Sequence, residues 1–362
     1  MNTERGKKML KISVIVLAVI VVLALIAAFA VSVMVYQSVF KVRFEPDADE
    51  IFTAEDFEGL QAKRVLFQTK QGHTLVGYKY RMEQVEAPKG VMVFAHGFGG
   101  GSHCIYMPLI AYMAEHGYAV FSYDITGNYE SEGKYIGGFP QGIIDLDYAL
   151  RYVKKDADYQ GLPVFLMGHS WGGYSVGNVL NFHTDIQGAV LFAGIDSSAA
   201  LLRQEGRNKA GKYGDLLIPF VRVYEWAKYG KYALTTASEG IEAAKDAQIL
   251  IVHSKDDKTV LQENGYDLFY KAHSGKERVH FVLYGSRGHS QLFYPTETIK
   301  NRRHYEAAYS RYLYENKLSD STEIHAAFRK EFIDYTVYYK LDEELMGQIV
   351  DMFDAKAEAA RQ

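Results

Sequence analysis

A single cysteine, Cys104, occurs in the 362 residues, so no internal disulfide can form and cysteine usage leaves the redox compartment open. No sign of charge dominates: 40 basic residues stand against 44 acidic ones, a net charge of -4. Nucleic-acid binding, which needs a basic face for the phosphates, is a poor first reading of such a chain. No H-E-x-x-H motif and no paired-cysteine spacing implies zinc, and the sequence implies no cofactor. No fixed-period repeat occurs, and no low-complexity stretch outside one apolar run. With 48% hydrophobic residues the chain is neither disordered nor collagen-like. Its length allows two domains of average size or one elaborated α/β domain.

The apolar run extends from Ile12 to Phe40 without a charge, and only Ser13, Ser32, Gln37 and Ser38 fall outside the apolar set. As a helix it would be about 43 Å long, more than the ~30 Å hydrocarbon core of a bilayer. Arg5, Lys7, Lys8 and Lys11 precede it and Glu45, Asp47, Asp49 and Glu50 follow it, so the positive-inside rule puts the N-terminus in the cytoplasm. Ala28-Phe29-Ala30 has the small-x-small form of a signal-peptide cleavage site. The run continues beyond it to Tyr36, however, which favours an uncleaved anchor over the short h-region of a signal peptide. A core helix would need apolar surroundings along its whole length, which a domain of this size does not supply. The expected organisation is a cytoplasmic segment 1–11, a transmembrane anchor 12–36, a linker 37–58 and one domain 59–362 outside the cytoplasm. The protein would be a single-pass protein of the cell membrane, and its oligomeric state stays open.

Beyond the linker, Arg64 to Thr69 and Thr74 to Tyr80 read as an edge hairpin turning at Gln71-Gly72. Short apolar runs come next, at Val91 to Ala95, Tyr118 to Tyr123, Val164 to Met167, Ala189 to Phe192, Ile249 to His253 and Val279 to Leu283. Helical patterns alternate with them, at Tyr106 to Glu115, Ile143 to Lys155, Tyr174 to Asn181 and Val260 to Ala272. This predicts an α/β fold with a mostly parallel eight-stranded sheet and helices on both faces. The gap at about 197–247 carries Leu216, Leu217, Phe220, Val221, Tyr224 and Trp226 and is too long for a bare loop, so it reads as a helical lid. The tail at about 295–362 is helical by pattern, ending in Leu345, Ile349, Val350 and Phe353 on one face.

The chemistry concentrates where Val164 to Met167 runs into Gly168-His169-Ser170-Trp171-Gly172-Gly173, with a helical pattern after it. G-x-S-x-G at a strand-to-helix turn is a nucleophile elbow: small neighbours permit a tight bend that lifts a serine hydroxyl to the carboxyl edge of the sheet. A serine is a weak nucleophile without a base and an orienting acid. Asp256 and Asp257 follow the Ile249 to His253 strand, and His289 follows the Val279 to Leu283 strand, in the order Ser, acid, His.

These motifs resemble the α/β-hydrolase superfamily, in particular its bacterial carboxylesterase, monoacylglycerol-lipase-like and serine aminopeptidase-like group, over about residues 60 to 292 plus the final helix. The resemblance implies an α/β-hydrolase fold with a lid insertion, and a catalytic triad of Ser170, Asp257 and His289. Asp257 is preferred to Asp256 because Ser254, Asp257 and Val260 match the family's G-x-x-D-x-x-V pattern, with Ser in place of Gly. His96-Gly97-Phe98-Gly99-Gly100-Gly101 looks like the family's oxyanion loop, which would make the backbone N–H groups of Phe98 and Trp171 the oxyanion donors. Asp124 to Ser131 resembles the D-x-R-G-x-G-x-S turn, with Thr126 and Tyr129 at the Arg and second Gly positions, and reads as structural.

Several features read as structural. His96, His103, His169, His253 and His280 read as satisfied or loop histidines, and Tyr335, Tyr338 and Tyr339 as packing. The Gly97-x-Gly99 turn fails as a dinucleotide fingerprint at Ser102, and the Gly206, Gly211, Lys212 pattern fails as a phosphate loop at Tyr213. The expected activity is cleavage of carboxylic esters, acyl lipids among them, through an acyl-enzyme on Ser170. A peptidase, amidase or acyltransferase would use the same triad, and a hydrolase-fold binding protein is the non-enzymatic alternative.

Overall fold

The computed structural model describes residues 2–47, 50–69 and 72–361, so Asp49 of the acidic stretch and Gln71 of the predicted turn lie outside the described residues. The first element, α1 (Asn2–Phe40), is long and apolar enough to cross a membrane. Its apolar side chains stand exposed as far as Val31, and from there every fourth residue, Ser32, Tyr36 and Phe40, is buried against the rest of the molecule.

One eight-stranded sheet organises the chain beyond α1: β1 (Leu60–Gln68), β2 (Thr74–Met82), β3 (Val91–Ala95), β4 (Ala119–Tyr123), β5 (Val164–His169), β6 (Gly188–Phe192), β7 (Gln248–Ser254) and β8 (Val279–Tyr284). In space the order is β1-β2-β4-β3-β5-β6-β7-β8. β1 and β2 form the expected antiparallel hairpin, β2 joins β4 antiparallel, and the remaining strands run parallel. The strands of the sheet centre are buried on both faces, so they read as continuous apolar runs rather than alternating ones. On β3, Val91, Val93 and Ala95 enter one core layer with Leu146 and Leu150, while Met92 and Phe94 enter the other with Met107, Ile110, Ile349 and Phe353.

Helices α2 (Met107–Glu115), α3 (Phe139–Val153) and α4 (Trp171–Val179) connect the central strands. The predicted Ile143 start of α3 is one turn late, because Pro140 occupies the first helical turn, where its missing N–H has no partner to lose. The lid region holds α5 (Ser198–Ala210), α6 (Ile218–Tyr229) and α7 (Ala237–Ala243), with a 3-10 stretch Gly211–Leu217 between the first two. The helix read from Val260 begins only at Tyr266 as α8 (Tyr266–His273), after a 3-10 turn at Gln262–Asn264. The tail forms α9 (Thr296–Asn316), α10 (Thr322–Phe332), α11 (Tyr335–Tyr338) and α12 (Glu343–Ala359). The apolar face of α12 closes the second core layer.

The stretch after α1 is built into the fold. Phe40 and Val42 accept backbone hydrogen bonds from Gly137 and Ile136, while Phe44 donates to Gly127 and accepts from Tyr129. Arg43 donates to the carbonyls of Ser131 and Gly133, each at 3.0 Å, and to that of Tyr129.

Candidate active site

The elbow sits between β5 and α4. Ser170 has φ 56° and ψ -114°, a conformation L-residues rarely adopt and one that surrounding structure must impose. The glycines beside it explain how the chain tolerates the bend. A Cβ on Gly172 would stand 1.9 Å from the Ala95 carbonyl oxygen, and one on Gly168 would stand 2.5 Å from the backbone of Gly172. The helix can therefore approach β3 only because these positions carry no side chain.

Parallel pairing of β7 with β8 sets Ser254 beside Tyr284, so the loops that leave both strands emerge together at the carboxyl edge. There His289 Nε2 lies 2.8 Å from Ser170 Oγ, and His289 Nδ1 lies 2.8 Å from Asp257 Oδ2. Asp257 is 3% exposed, and its Oδ1 accepts the N–H groups of Thr259 at 2.8 Å and Val260 at 2.9 Å. Burial would raise this carboxyl, but the His289 hydrogen bond and charge, with the Val260 N–H, hold it below its ordinary value, so it stays a carboxylate. Asp256 takes a different place: its Oδ1 accepts Ser254 Oγ at 2.6 Å and the Gly288 N–H at 2.8 Å, which ties the His289 loop to β7. Of the two candidate acids, only Asp257 meets the imidazole.

Of the candidate donors, Phe98 lines the same cavity as Ser170 and Trp171 follows it directly in the chain. Trp171 is the first residue of α4, whose opening N–H groups have no partner within the helix, and the Phe98 N–H has no acceptor among the described residues. The Phe98 ring rests at the centre of an aromatic group, with ring centroids 5.7 Å from Trp171, 5.0 Å from Phe44, 6.2 Å from Phe40 and 6.1 Å from Phe139. The end of α1 and the segment after it therefore brace the loop that carries Phe98, a role with no sequence signal in a stretch that reads as a linker.

His169, expected to be structural, props the site through its ring. Its Nε2 bonds the His289 carbonyl at 2.9 Å and its Nδ1 meets Tyr106 Oη at 2.9 Å, while Tyr106 Oη also accepts the Gly97 N–H at 3.3 Å. Burial, helped by the neighbouring His289, lowers His169 to about 3, so its ring is neutral. Tyr106 thus joins the β3 loop to the elbow, a link that sequence reading missed because nothing marks a lone tyrosine at a helix start. The other histidines find partners away from Ser170. His96 donates from Nδ1 to Gly97 O and accepts the Ile125 N–H, His103 pairs with Asp124 at 2.8 Å, and His253 bonds Val260 O. His280 meets Gln248 Oε1 at 3.1 Å. Asp124 also accepts the Ser102 hydroxyl, so the Asp124 to Ser131 turn holds the β3 loop in place. Gly206 and Gly214 face each other in the lid, where Arg207 pairs with Asp215 at 2.7 Å, so the glycine pattern there serves a close backbone crossing. Among the described residues no group of three or more His, Cys, Asp or Glu side chains is placed to hold a metal ion.

A cavity of about 250 Å³ opens over Ser170 and His289, walled by Phe98, Tyr106, Tyr294 and Arg302. A larger hollow of about 650 Å³ lies against α2 and α11 and shares Phe52 and Tyr339 with it. The larger hollow contains no candidate site residue, whereas Phe98, Ser170 and His289 all line the smaller one.

Residues 86–223 match the sequence model of the serine aminopeptidase S33 family. The chain is 30% identical over 87 residues to caffeoylshikimate esterase of Arabidopsis thaliana, and 36% identical over 89 residues to monoglyceride lipase of Rattus norvegicus. Each match covers 24% of this chain, and the chain spans about a quarter of these relatives' length, 26% and 28%. Among solved structures, an esterase of Pyrococcus furiosus superposes with a TM-score of 0.53 at 15% identity, covering 81% of this chain and 98% of that one. The α/β hydrolase GrgF of a Penicillium species superposes with a TM-score of 0.51 at 16% identity, covering 67% and 96%. At such identities the superpositions establish the fold. Sheet order, the elbow between β5 and α4 and these superpositions give the chain the α/β-hydrolase fold, and its residues 86–223 are similar to the serine aminopeptidase S33 family.

Proposed function

We propose that this chain is a membrane-anchored serine hydrolase that cleaves carboxylic esters through an acyl-enzyme on Ser170. The observation that carries the reading is the unbroken run of hydrogen bonds from Ser170 Oγ to His289 to the buried Asp257, each at 2.8 Å, at a strained strand-to-helix turn. In this mechanism His289 Nε2 takes the Ser170 proton as Oγ attacks the ester carbonyl. Asp257 holds the Nδ1–H tautomer and stabilises the imidazolium. The Phe98 and Trp171 N–H groups meet the developing oxyanion, each worth about 3 kcal/mol. Collapse of the tetrahedral intermediate breaks the ester C–O bond, and His289 returns its proton to the departing alcohol. Water then attacks the acyl-enzyme with His289 as base, releasing the acid and restoring Ser170.

Ester rather than amide cleavage is favoured because the curated relatives are, by name, an esterase and a lipase. Acyl lipids belong in the substrate range because the end of α1 packs beside Phe98 at the rim of the site. Anchoring rests on the length and apolar surface of α1, and a cytoplasmic N-terminus with the hydrolase domain outside rests on the basic residues before it. A fluorophosphonate probe tests the central claim: it should label the wild-type chain and leave Ser170→Ala unlabelled. Equal labelling of both would overturn it.

A further inference from the structure

The cavity over Ser170 carries a cation that ester cleavage by the triad does not use. Arg302 extends from α9, eight residues after Tyr294, and lines the cavity over Ser170 and His289. Its guanidinium carbon lies 4.6 Å from the centre of the Tyr294 ring, 4.2 Å from that of Tyr338 and 5.5 Å from that of Tyr339. Three rings therefore flank the group within cation–π distance. Of its five N–H donors, one is given to the Tyr338 carbonyl at 3.2 Å, and the group also meets the Tyr294 hydroxyl.

The neighbouring cations differ from it. Arg287 is paired with Asp342 at 2.6 Å, and Arg329 meets Glu50, the carboxylate that shares the cavity, at 3.5 Å. Arg302 forms no ion pair with an acidic side chain among the described residues. A guanidinium flanked by aromatic rings, with donors left over and a face in the cavity, is organised to receive an oxyanion.

We propose that Arg302 is a specificity-determining residue that binds an anionic group, carboxylate or phosphate, carried by the ester substrate away from the bond that breaks. The inference rests on the ester-hydrolase reading and narrows its substrate class from esters in general to esters bearing a negative charge. Two sources of charge fit: a dicarboxylic half-ester, with the anion on the acyl side, or a glycerol phosphate ester, with the anion on the alcohol side.

The experiment uses the full chain in detergent micelles and two matched pairs, mono-p-nitrophenyl glutarate against p-nitrophenyl butyrate, and butyryl-glycerol 3-phosphate against butyrylglycerol. The readout is the anionic-to-neutral ratio of kcat/KM within each pair. Arg302→Gln should lower that ratio about 10- to 100-fold in at least one pair, chiefly through KM, since a charge-assisted hydrogen bond to the substrate is lost. Arg302→Lys should restore part of it by keeping the charge. The pair that responds tells carboxylate from phosphate. A ratio that is the same in wild type, Arg302→Gln and Arg302→Lys overturns the assignment while leaving the ester reading intact. Should Arg302→Gln fail to fold, wild type decides alone: glutarate or glycerol 3-phosphate must slow fluorophosphonate labelling more than butanol or glycerol does, and equal rates overturn it. Failure to cleave either neutral ester, with no labelling of Ser170, overturns the ester reading itself and this inference with it.

Discussion

Glu225 offers a test of how the end of α1 is held to the lid. It lies on α6, is 1% exposed, and its two carboxyl oxygens accept the Tyr36 hydroxyl and the Ser198 hydroxyl, each at 2.7 Å. Burial pushes its carboxyl up to about 7 from an ordinary 4.5, against the opposing hydrogen bonds from Ser198 and Tyr36 and the attraction of Arg222 and Lys228. Below pH 4.5 the group is protonated in folded and unfolded chains alike, so it costs nothing. Between 4.5 and 7 the unfolded chain ionises while the folded one keeps its proton, and stability falls. Above 7 both are ionised and the full penalty is reached, about 3 kcal/mol. In Glu225→Gln the side-chain carbonyl accepts from Tyr36, the amide donates to Ser198 Oγ, and nothing titrates. The mutant should therefore gain on wild type by about 3 kcal/mol as pH rises from 4.5 to 7, a widening Tm gap of about 5 °C for a chain of this size. Asp145, which burial raises to about 6, titrates in an overlapping window but equally in both proteins, so it cancels in the difference. Melting curves of the full chain in detergent at half-unit pH steps measure the gap. Parallel curves for the two proteins would show that the Tyr36–Glu225–Ser198 contact does not hold a neutral carboxyl.

Three further outcomes are expected. Asp257→Asn should lower kcat on a p-nitrophenyl ester about 10³- to 10⁴-fold, because His289 loses both its tautomer and its counter-charge, whereas Asp256→Asn should cost less than tenfold, because its oxygen can still accept from Gly288. A steady-state comparison in which the two are equal would refute the division of roles. Phe44→Ala removes one edge contact from Phe98, worth about 1 kcal/mol, and should lower kcat about 3- to 10-fold with little change in KM; a change confined to KM would refute the brace. Protease added to intact cells should digest the hydrolase domain of the anchored chain, and protection of that domain would reverse the proposed orientation.

Much of the fold was legible because its signals are local. Continuous apolar runs marked strands buried on both faces, and the hairpin, the parallel strands and their order along the chain all appear as expected. Boundaries moved where a proline or a 3-10 turn replaced the helical pattern, as at Pro140 and at Gln262–Asn264. The long lid and tail were recognisable as helical, but their partners were not, since an amphipathic face states only that something covers it.

By itself the sequence determined what depends on steric and solvation rules between near neighbours. The glycines around Ser170 permit one sharp turn, and an uncharged run from Ile12 to Phe40 excludes a loop. Tertiary structure decided what depends on distance in space between residues far apart in the chain. That Asp257 and not Asp256 faces His289 follows from how the loop after β7 folds, with Asp256 tied to Ser254 and Gly288 and Asp257 to the Thr259 and Val260 N–H groups. That a supposed linker braces Phe98, that His169 carries the His289 carbonyl, and that Arg302 reaches the cavity over Ser170 all arise from contacts across tens to hundreds of residues. Such contacts depend on how packed layers meet, and no short-range pattern records them.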